Sequence, residues 1–573
     1  MRAENLQAGA ALALILATGL IPDLAGSDYW SYSFQFANLL IVAAVLQSVL
    51  MHDADQISFG QGAIFGVGAY VSALAMTKLG LPLPLAVICA AAGAGLAGLL
   101  YAIPALRVQG YYLGFVTLSL AAVFPELLFA MDAYTNGING ISTPAGAWKQ
   151  PLLLGLSPLS LFTTVLACAA IVGHVLLRRS VVGRKIRVAG ASPESAQTLG
   201  IRPGLVRSAV FVVTSACTGA AGALYPPIVG FVSPAAFHLE LSILLFLAVV
   251  VGGRGQILGP VAGIYLLYLL PNVLLVDLID YRLLAYGLVA LGVMLLMPDG
   301  LVGTVGQWLS KRRVAAVAHL SPDELPIPPA ARRADIAGPE ISIRGGTKTF
   351  GAVVALDQVD LDIERGAIIG LVGANGSGKT SLINAITGFN KLSGGSIAIR
   401  GRATERMSPA GIARLGIGRT FQTPRIFDHL TAWENIQIGA EARLRPLAAM
   451  AEGPLARLRD RLAGSDVRTI PHGQRRSIEV LRAVLTGAEV LLLDEPAAGL
   501  SPEERQQLAT LLLRLRDEAG KTILLVEHDL DLVWRIADRI VVMERGRIVA
   551  QGAPADVADD PAVRQLFAVP AHA

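Results

Sequence analysis

Ten apolar runs, most of them near the length that crosses a bilayer, are crowded into the first 310 residues. They lie at about 8–25, 33–51, 60–77, 83–103, 111–131, 152–177, 208–230, 238–252, 257–275 and 282–297, the eighth being short. A helix needs about 20 apolar residues to cross ~30 Å of hydrocarbon. Residues 1–310 are therefore predicted to form a polytopic α-helical membrane domain of about ten helices. Charge follows the same division: 13 Lys+Arg and 12 Asp+Glu fall in 1–310, against 34 and 31 in 311–573. A mean hydropathy of +0.57 is too high for a wholly soluble chain.

Positive residues in short loops mark the cytoplasmic side. The densest group is Arg178, Arg179, Arg184, Lys185, Arg187, Arg202 and Arg207, so that loop is expected inside. Four runs follow it and return the chain to the cytoplasm at Lys311-Arg312-Arg313. Arg2 before the first run also suits a cleaved signal peptide, but the many later spans favour a first membrane helix. Gly62 and Gly66, and the group Gly93, Gly95 and Gly98, permit close approach of helices. Ionisable residues near spans are few, and Glu126, Asp132, His238 and Glu240 each lie near a predicted helix end. Cys89, Cys168 and Cys217 sit in apolar segments and read as small buried hydrophobes, implying neither disulfide nor metal. A net charge of +4 without a basic stripe gives no reason to expect nucleic acid. Residues 311–340, with Pro326-Ile327-Pro328-Pro329, read as a Pro/Ala/Arg-rich tether. The third domain is then 341–573.

That domain opens with strand, glycine loop and helix. Ala367–Val372 is apolar, Gly373-Ala374-Asn375-Gly376-Ser377-Gly378-Lys379-Thr380 fits G-x-x-x-x-G-K-S/T, and Ser381–Thr387 continues helically. Glycines let main-chain N–H groups approach phosphate oxygens, Lys379 supplies charge to the β- and γ-phosphates, and the Thr380 hydroxyl suits magnesium. Gly373, Asn375, Gly376, Ser377, Gly378, Lys379, Thr380 and Ser381 are the candidate ATP contacts. Val490–Leu493 reads as a buried strand ending in Asp494 and Glu495. Two carboxylates then stand at the carboxyl edge of a sheet, Asp494 suited to Mg2+ and Glu495 to polarising the attacking water.

Phe421-Gln422, His-Gly-Gln at 472–474 and Val526-Glu527-His528-Asp529 complete a pattern. With them, residues 341–573 resemble an ATP-binding-cassette (ABC) ATPase, an α/β P-loop domain. The resemblance implies that Phe350 stacks on adenine, that Gln422 serves the magnesium site and senses the membrane domain, and that His528 contacts the γ-phosphate. The segments 416–439, 491–502 and 526–552 look like the ATPases of branched-chain amino-acid importers. "GQGAIFGVGAYVSAL" (60–74), "YYLGFVTLSLAAVFPELL" (111–128), "GALYPPIVGFVSP" (222–234) and "VVVGGRGQILGPVAGI" (249–264) resemble a permease subunit of the same systems. The chain is thus similar to a natural fusion of permease and ATPase in an ABC importer of branched-chain amino acids, with ATP hydrolysis coupled to transport.

Glu194-Ser195-Ala196-Gln197-Thr198-Leu199-Gly200 resembles the E-A-A-x-x-x-G coupling segment of ABC importers, with Ser in place of one Ala. Glu194, Ala196 and Gly200 are its candidate residues, expected to seat in the ATPase near Gln422. The cassette signature appears as Ile470-Pro471-His472-Gly473-Gln474, with Pro471 where a phosphate-binding serine usually stands. Pro471, His472, Gly473 and Gln474 are expected to act on nucleotide held by the opposite ATPase, and the missing hydroxyl and N–H predict asymmetric sites. The stretch 440–469 also looks shorter than the usual helical subdomain. The resemblance implies a second permease, a second ATPase, an extracytoplasmic solute-binding protein, and a bacterial-type inner membrane with the ATPase cytoplasmic. Urea, short amides or other amino acids fit the motifs as cargo. An ABC exporter, or an ATPase regulating a membrane protein without transport, is the competitor of a different class, although exporters usually show six long helices and lack a segment like that at Glu194.

Overall fold

The computed structural model describes residues 2–105, 110–143, 146–150, 155–274, 281–310, 338–442 and 454–567. By their contacts they form two units, one of Met1–Gly190 with Pro203–Val314 and the other of Ala191–Arg202 with Ala315–Ala573. Most of the expected tether, residues 311–337, lies outside the described residues, as does 443–453 of the expected helical subdomain.

The first unit is helical, and each apolar run has its helix: Arg2–Leu24, Asp28–Ser48, Gln61–Lys78, Leu83–Ala105, Tyr111–Ala130, Pro158–Arg179, Pro203–Gly222, Leu239–Gly252, Gly259–Ile264 and Arg282–Leu296. Among the described residues, eight helices are long and apolar enough to span a bilayer. Composition separates the two counts. Gln61–Lys78 dilutes its apolar face with three glycines and with Gln61, Ser72 and Thr77, and the Gly259–Pro271 helix is short, winding as a π-helix from Tyr265.

Asp28–Ser48 is the core of this unit, with Leu39, Leu40, Ile41, Ala43 and Ala44 fully buried. It packs against Arg2–Leu24, Pro158–Arg179, Leu239–Gly252 and Gly259–Ile264. A helix apolar all round is one enclosed by others. Small residues set the closest approach: a Cβ on Gly68 would fall 2.1 Å from the Gly219 carbonyl, and one on Gly222 would fall 2.1 Å from that of Phe65. Gly62 likewise meets Ser242, and Gly98 meets Ser215.

Asp132 opens a short helix, His238 caps Leu239–Gly252, Glu240 lies in that helix's first turn, and Glu126 stands one turn from the end of its own. The sequence reading missed a buried pair, His174 Nε2 at 3.1 Å from Asp53 Oδ2, with Arg178 Nε at 3.7 Å from Asp53 Oδ1. Expected burial of the cysteines is corrected: Cys89 and Cys168 are half-buried and Cys217 is exposed, since the outer face of a membrane helix also calls for apolar side chains.

The second unit is α/β. Its main sheet has the spatial order Arg547–Gly552, Arg539–Glu544, Ile368–Val372, Thr522–Val526, Val490–Asp494, Ile417–Arg419, parallel except at the first pair. The strands Ile368–Val372, Val490–Asp494 and Thr522–Val526 are buried at every position, as strands covered on both faces must be. A four-stranded antiparallel sheet runs Val353–Ile363, Ile341–Phe350, Gly394–Ile399, Arg402–Ala403. Helices Ala432–Ala442, Pro454–Leu462 and His472–Leu485 complete the side away from it.

Candidate active site

Register brings the chemistry to one edge. Val526 lies opposite both Leu371 and Asp494, so the residues after three adjacent parallel strands emerge together at their carboxyl ends, where such sheets bind ligands. Those residues are the glycine loop, Asp494-Glu495 and Glu527-His528.

The loop is shaped by what cannot fit beside it. Gly378 has φ 104, and a Cβ there would fall 2.5 Å from the Ala355 carbonyl, so only glycine lets the chain turn into the helix Lys379–Ile386. Lys379 Nζ curls back over the loop, donating to the carbonyls of Gly373 at 2.7 Å and Ala374 at 3.0 Å. Burial lowers its pKa, while the charges of Glu495 and Asp494 oppose that shift. Ser377 is buried, whereas Asn375, Gly376 and Thr380 are exposed and Ser381 is half-buried on the first helical turn. Phe350 ends its strand half-exposed, its ring facing the Lys348 ammonium at 4.8 Å.

Asp494 is 3% exposed. Burial raises its pKa, Arg419 pulls the other way from 3.9 Å, and Glu495 adds to the rise. A hard dication accepts such oxygen donors, and the donor set of Asp494, Thr380 and Gln422 fits magnesium. Glu495 holds φ 46, a left-handed conformation uncommon for a non-glycine residue. Neighbours hold it there: its N–H donates to the Val526 carbonyl at 2.8 Å, and its own carbonyl accepts from Arg476 Nη2 at 3.2 Å. Gln422 Nε2 donates to Glu495 Oε2 at 2.8 Å, and His528 Nδ1 stands 3.9 Å from the same oxygen. His528 is largely exposed.

Sequence reasoning missed the supports of this edge. Glu527 is wholly buried, and its carboxylate accepts from Ala497 N at 2.6 Å and His528 N at 3.3 Å, holding the turns after two strands together. Arg419 donates to Asn384 and Thr387 and stacks on Phe421. Arg476 and Glu479 grip the Gln422 loop. One signal was available: Arg476, Glu479 and Arg482 repeat at helical spacing among apolar residues, placing charge on a buried face.

The signature begins the helix His472–Leu485, with Pro471 as an N-cap that offers no side-chain hydrogen bond. Gly473 lies so close to Glu504 that a Cβ would fall 2.0 Å from its carboxylate, and Gln474 is buried. The side chain of His472 lies outside the described residues. The segment at Glu194 is a helix, Pro193–Thr198, capped by Ser192. Glu194 Oε2 stands 2.9 Å from Arg425 Nη2, and the Gly200 carbonyl accepts from Arg414 Nη2 at 2.8 Å. Ala196 is fully buried.

The family model described as the branched-chain amino acid transport system permease component matches residues 30–298, and that of the ABC transporter matches 356–498. The high-affinity branched-chain amino acid transport ATP-binding protein BraF of Pseudomonas aeruginosa is 36% identical over 248 residues, covering 40% of this chain and 97% of that protein. LivG of Escherichia coli, which carries the same description, is 35% identical over 248 residues, with shares of 40% and 97%. A solved nucleotide-free ATP-binding cassette from an ABC transporter is 31% identical with a TM-score of 0.35, covering 40% of this chain and 98% of that one.

Proposed function

The chain belongs to the ABC transporter family, joining a permease of the branched-chain amino acid transport type to an ATP-hydrolysing cassette on one polypeptide, and on that premise we propose that it imports branched-chain amino acids at the expense of ATP. One observation carries the reading. Glu194, from a segment between two permease helices, pairs with Arg425 at 2.9 Å, three residues beyond the Gln422 whose amide holds Glu495.

In this mechanism the main-chain N–H groups of Gly373–Gly378 and the Lys379 ammonium hold the β- and γ-phosphates, with Asn375, Ser377 and Ser381 completing the cradle and Phe350 stacking on adenine. Thr380, Asp494 and Gln422 would hold magnesium, which supplies positive charge to the phosphates. Glu495 takes a proton from the attacking water, Gln422 orients that carboxylate, and His528 contacts the γ-phosphate. The signature Pro471–Gln474 serves nucleotide on the opposite cassette, so two cassettes close on ATP together. Closure draws on Arg425 and Arg414, and through Glu194 and Gly200 it moves the permease helices.

The protein is a membrane protein whose family works with partner subunits. The partners proposed are a second permease, a second ATPase and an extracytoplasmic solute-binding protein, in an inner membrane with the cassette cytoplasmic. The test is uptake by proteoliposomes holding the complex purified with its native partners, with ATP inside and binding protein outside. ATP-dependent accumulation of leucine, absent in Lys379→Ala, is expected. Hydrolysis without solute movement, or accumulation of urea in place of leucine, overturns the reading.

A further inference from the structure

The helix His472–Leu485 places three charges on its buried face. Arg476 and Glu479 are each 1% exposed, and Arg482 is buried beside them, among Ile478, Leu481 and Leu485. Burial pushes the Glu479 carboxyl up, opposed by Arg482 and Arg476. Charges so placed are costly unless their hydrogen-bonding capacity is used. Here it is used largely on the main chain of one loop, Phe421–Arg425.

Arg476 Nη1 donates to the Phe421 carbonyl and Nη2 to that of Gln422, each at 2.5 Å. Glu479 Oε1 accepts from the N–H of Phe421 at 3.4 Å and of Arg425 at 3.2 Å. Arg482 Nη2 donates to the Arg425 carbonyl at 2.7 Å. The loop is held at both ends through groups that every residue possesses. Arg476 reaches one step further, to the Glu495 carbonyl at 3.2 Å. On its other side the loop presents Arg425, stacked on the Phe421 ring at 4.9 Å and paired with Glu194.

We propose that Arg476 is a positioning residue, tying the loop that Glu194 loads to the main chain of Glu495, so that docking of the coupling segment sets the aim of the general base. This rests on the reading of Glu194–Gly200 as the coupling segment and of Glu495 as the base. Arginine suits the task because a planar fork with several fixed donors bridges carbonyls that a lysine ammonium serves only as a point charge. Glu495 responds because both ends of it answer to one loop: its carbonyl through Arg476, and its carboxylate through Gln422.

The test is a double-mutant cycle on the assembled transporter, read as ATP hydrolysis stimulated by leucine-loaded binding protein. Glu194→Gln is expected to lower the stimulated kcat about tenfold in the otherwise native complex, a coupling within the usual range. In the Arg476→Lys background the same change should cost less than about twofold, the margin within which independent sites add. Arg476→Lys alone should lower kcat while KM for ATP stays within about twofold. A tenfold loss repeated in the Arg476→Lys background makes Arg476 merely structural and overturns the proposal, as does a KM effect with kcat unchanged. If Glu194→Gln leaves the native complex unaffected, the coupling assignment falls and takes the proposal with it, which separates the two failures. Glu479→Gln, which loosens the same grip on the loop and neutralises the partner of Arg476 Nη1 at 3.2 Å while leaving the fork itself in place, runs through the same cycle and decides the matter if Arg476→Lys does not assemble.

Discussion

Replacing Glu495 by Gln removes one charge and little else, which makes it the sharpest probe of the hydrolytic step. The residue sits at φ 46. Any non-glycine side chain pays roughly 1–2 kcal/mol for that conformation, but Glu and Gln pay it alike and the term cancels. The 2.8 Å contact from Gln422 survives with a neutral acceptor. A bond to a charged group contributes about 1.5–3 kcal/mol and one between neutral groups about 0.5–1.5, so the structural loss is about 1 kcal/mol. Losing a general base costs about 10²–10⁴ in rate, or about 2.7–5.4 kcal/mol at 1.36 kcal/mol per decade. The chemical effect therefore dominates. Phosphate release at saturating ATP should fall by about 10²–10⁴, ATP affinity should change no more than about fivefold, and the cassette's melting temperature should fall no more than about 2–4 °C. A loss of kcat below about tenfold refutes Glu495 as the base and turns attention to His528, whose ring nitrogen is 3.9 Å away. A collapse of melting temperature makes the residue structural.

Two further outcomes follow from the same edge. Burial raises the Glu527 carboxyl above its ordinary value, with the Ala497 N–H and its neighbours opposing. A folded value above the unfolded one means stability that is full below the ordinary carboxylate range and is lost as pH rises through the raised value. Glu527→Gln escapes that loss, so its melting temperature relative to native should climb with pH across that window, and parallel curves refute the assignment. Pro471 caps the signature helix with neither hydroxyl nor N–H, so vanadate should trap less nucleotide on the opposite cassette than on this chain's own loop, and equal trapping at both sites refutes the asymmetry.

The parts of this molecule that sequence exposes are those in which chemistry is contiguous. The glycine loop is read directly because its glycines answer local needs, Gly373 and Gly378 for close main-chain approach to Met543 and Ala355 and Gly376 for a positive φ. Asp494 and Glu495 are read because a run of buried apolar residues can only end where the sheet ends. Helices count differently from apolar runs because hydropathy is an average, and Gln61–Lys78 gives up apolar area to glycines that let helices touch. What sequence hides is partnership with the main chain. Arg476 binds three carbonyls, and a carbonyl leaves no mark on residue choice, so the partner of that arginine cannot be read along the chain. Asp53 and His174 hid for another reason, since each looks like a stray polar residue until the fold brings them to 3.1 Å.

The coupling role proposed for Ala191–Arg202 requires the segment to be ordered, and its caps together with its contacts at either end supply that order. On the permease side Gly190 fits where a Cβ would fall 2.9 Å from the Asp53 carbonyl, and its own carbonyl accepts from Arg207 Nη2 at 3.2 Å. Ser192 then caps the next helix through the Ser195 N–H, and Pro193 fixes φ at its first position. Gly200 closes it at φ 82, a conformation that costs a side-chain-bearing residue and lets the carbonyl face Arg414. The helix between these ends is too short to be stable alone, so its order derives from the contacts at either end. Loosening Glu194 from Arg425 thus removes both a contact and part of the reason the segment is a helix, and a substitution there should reach transport more strongly than the surface exposure of that ion pair suggests.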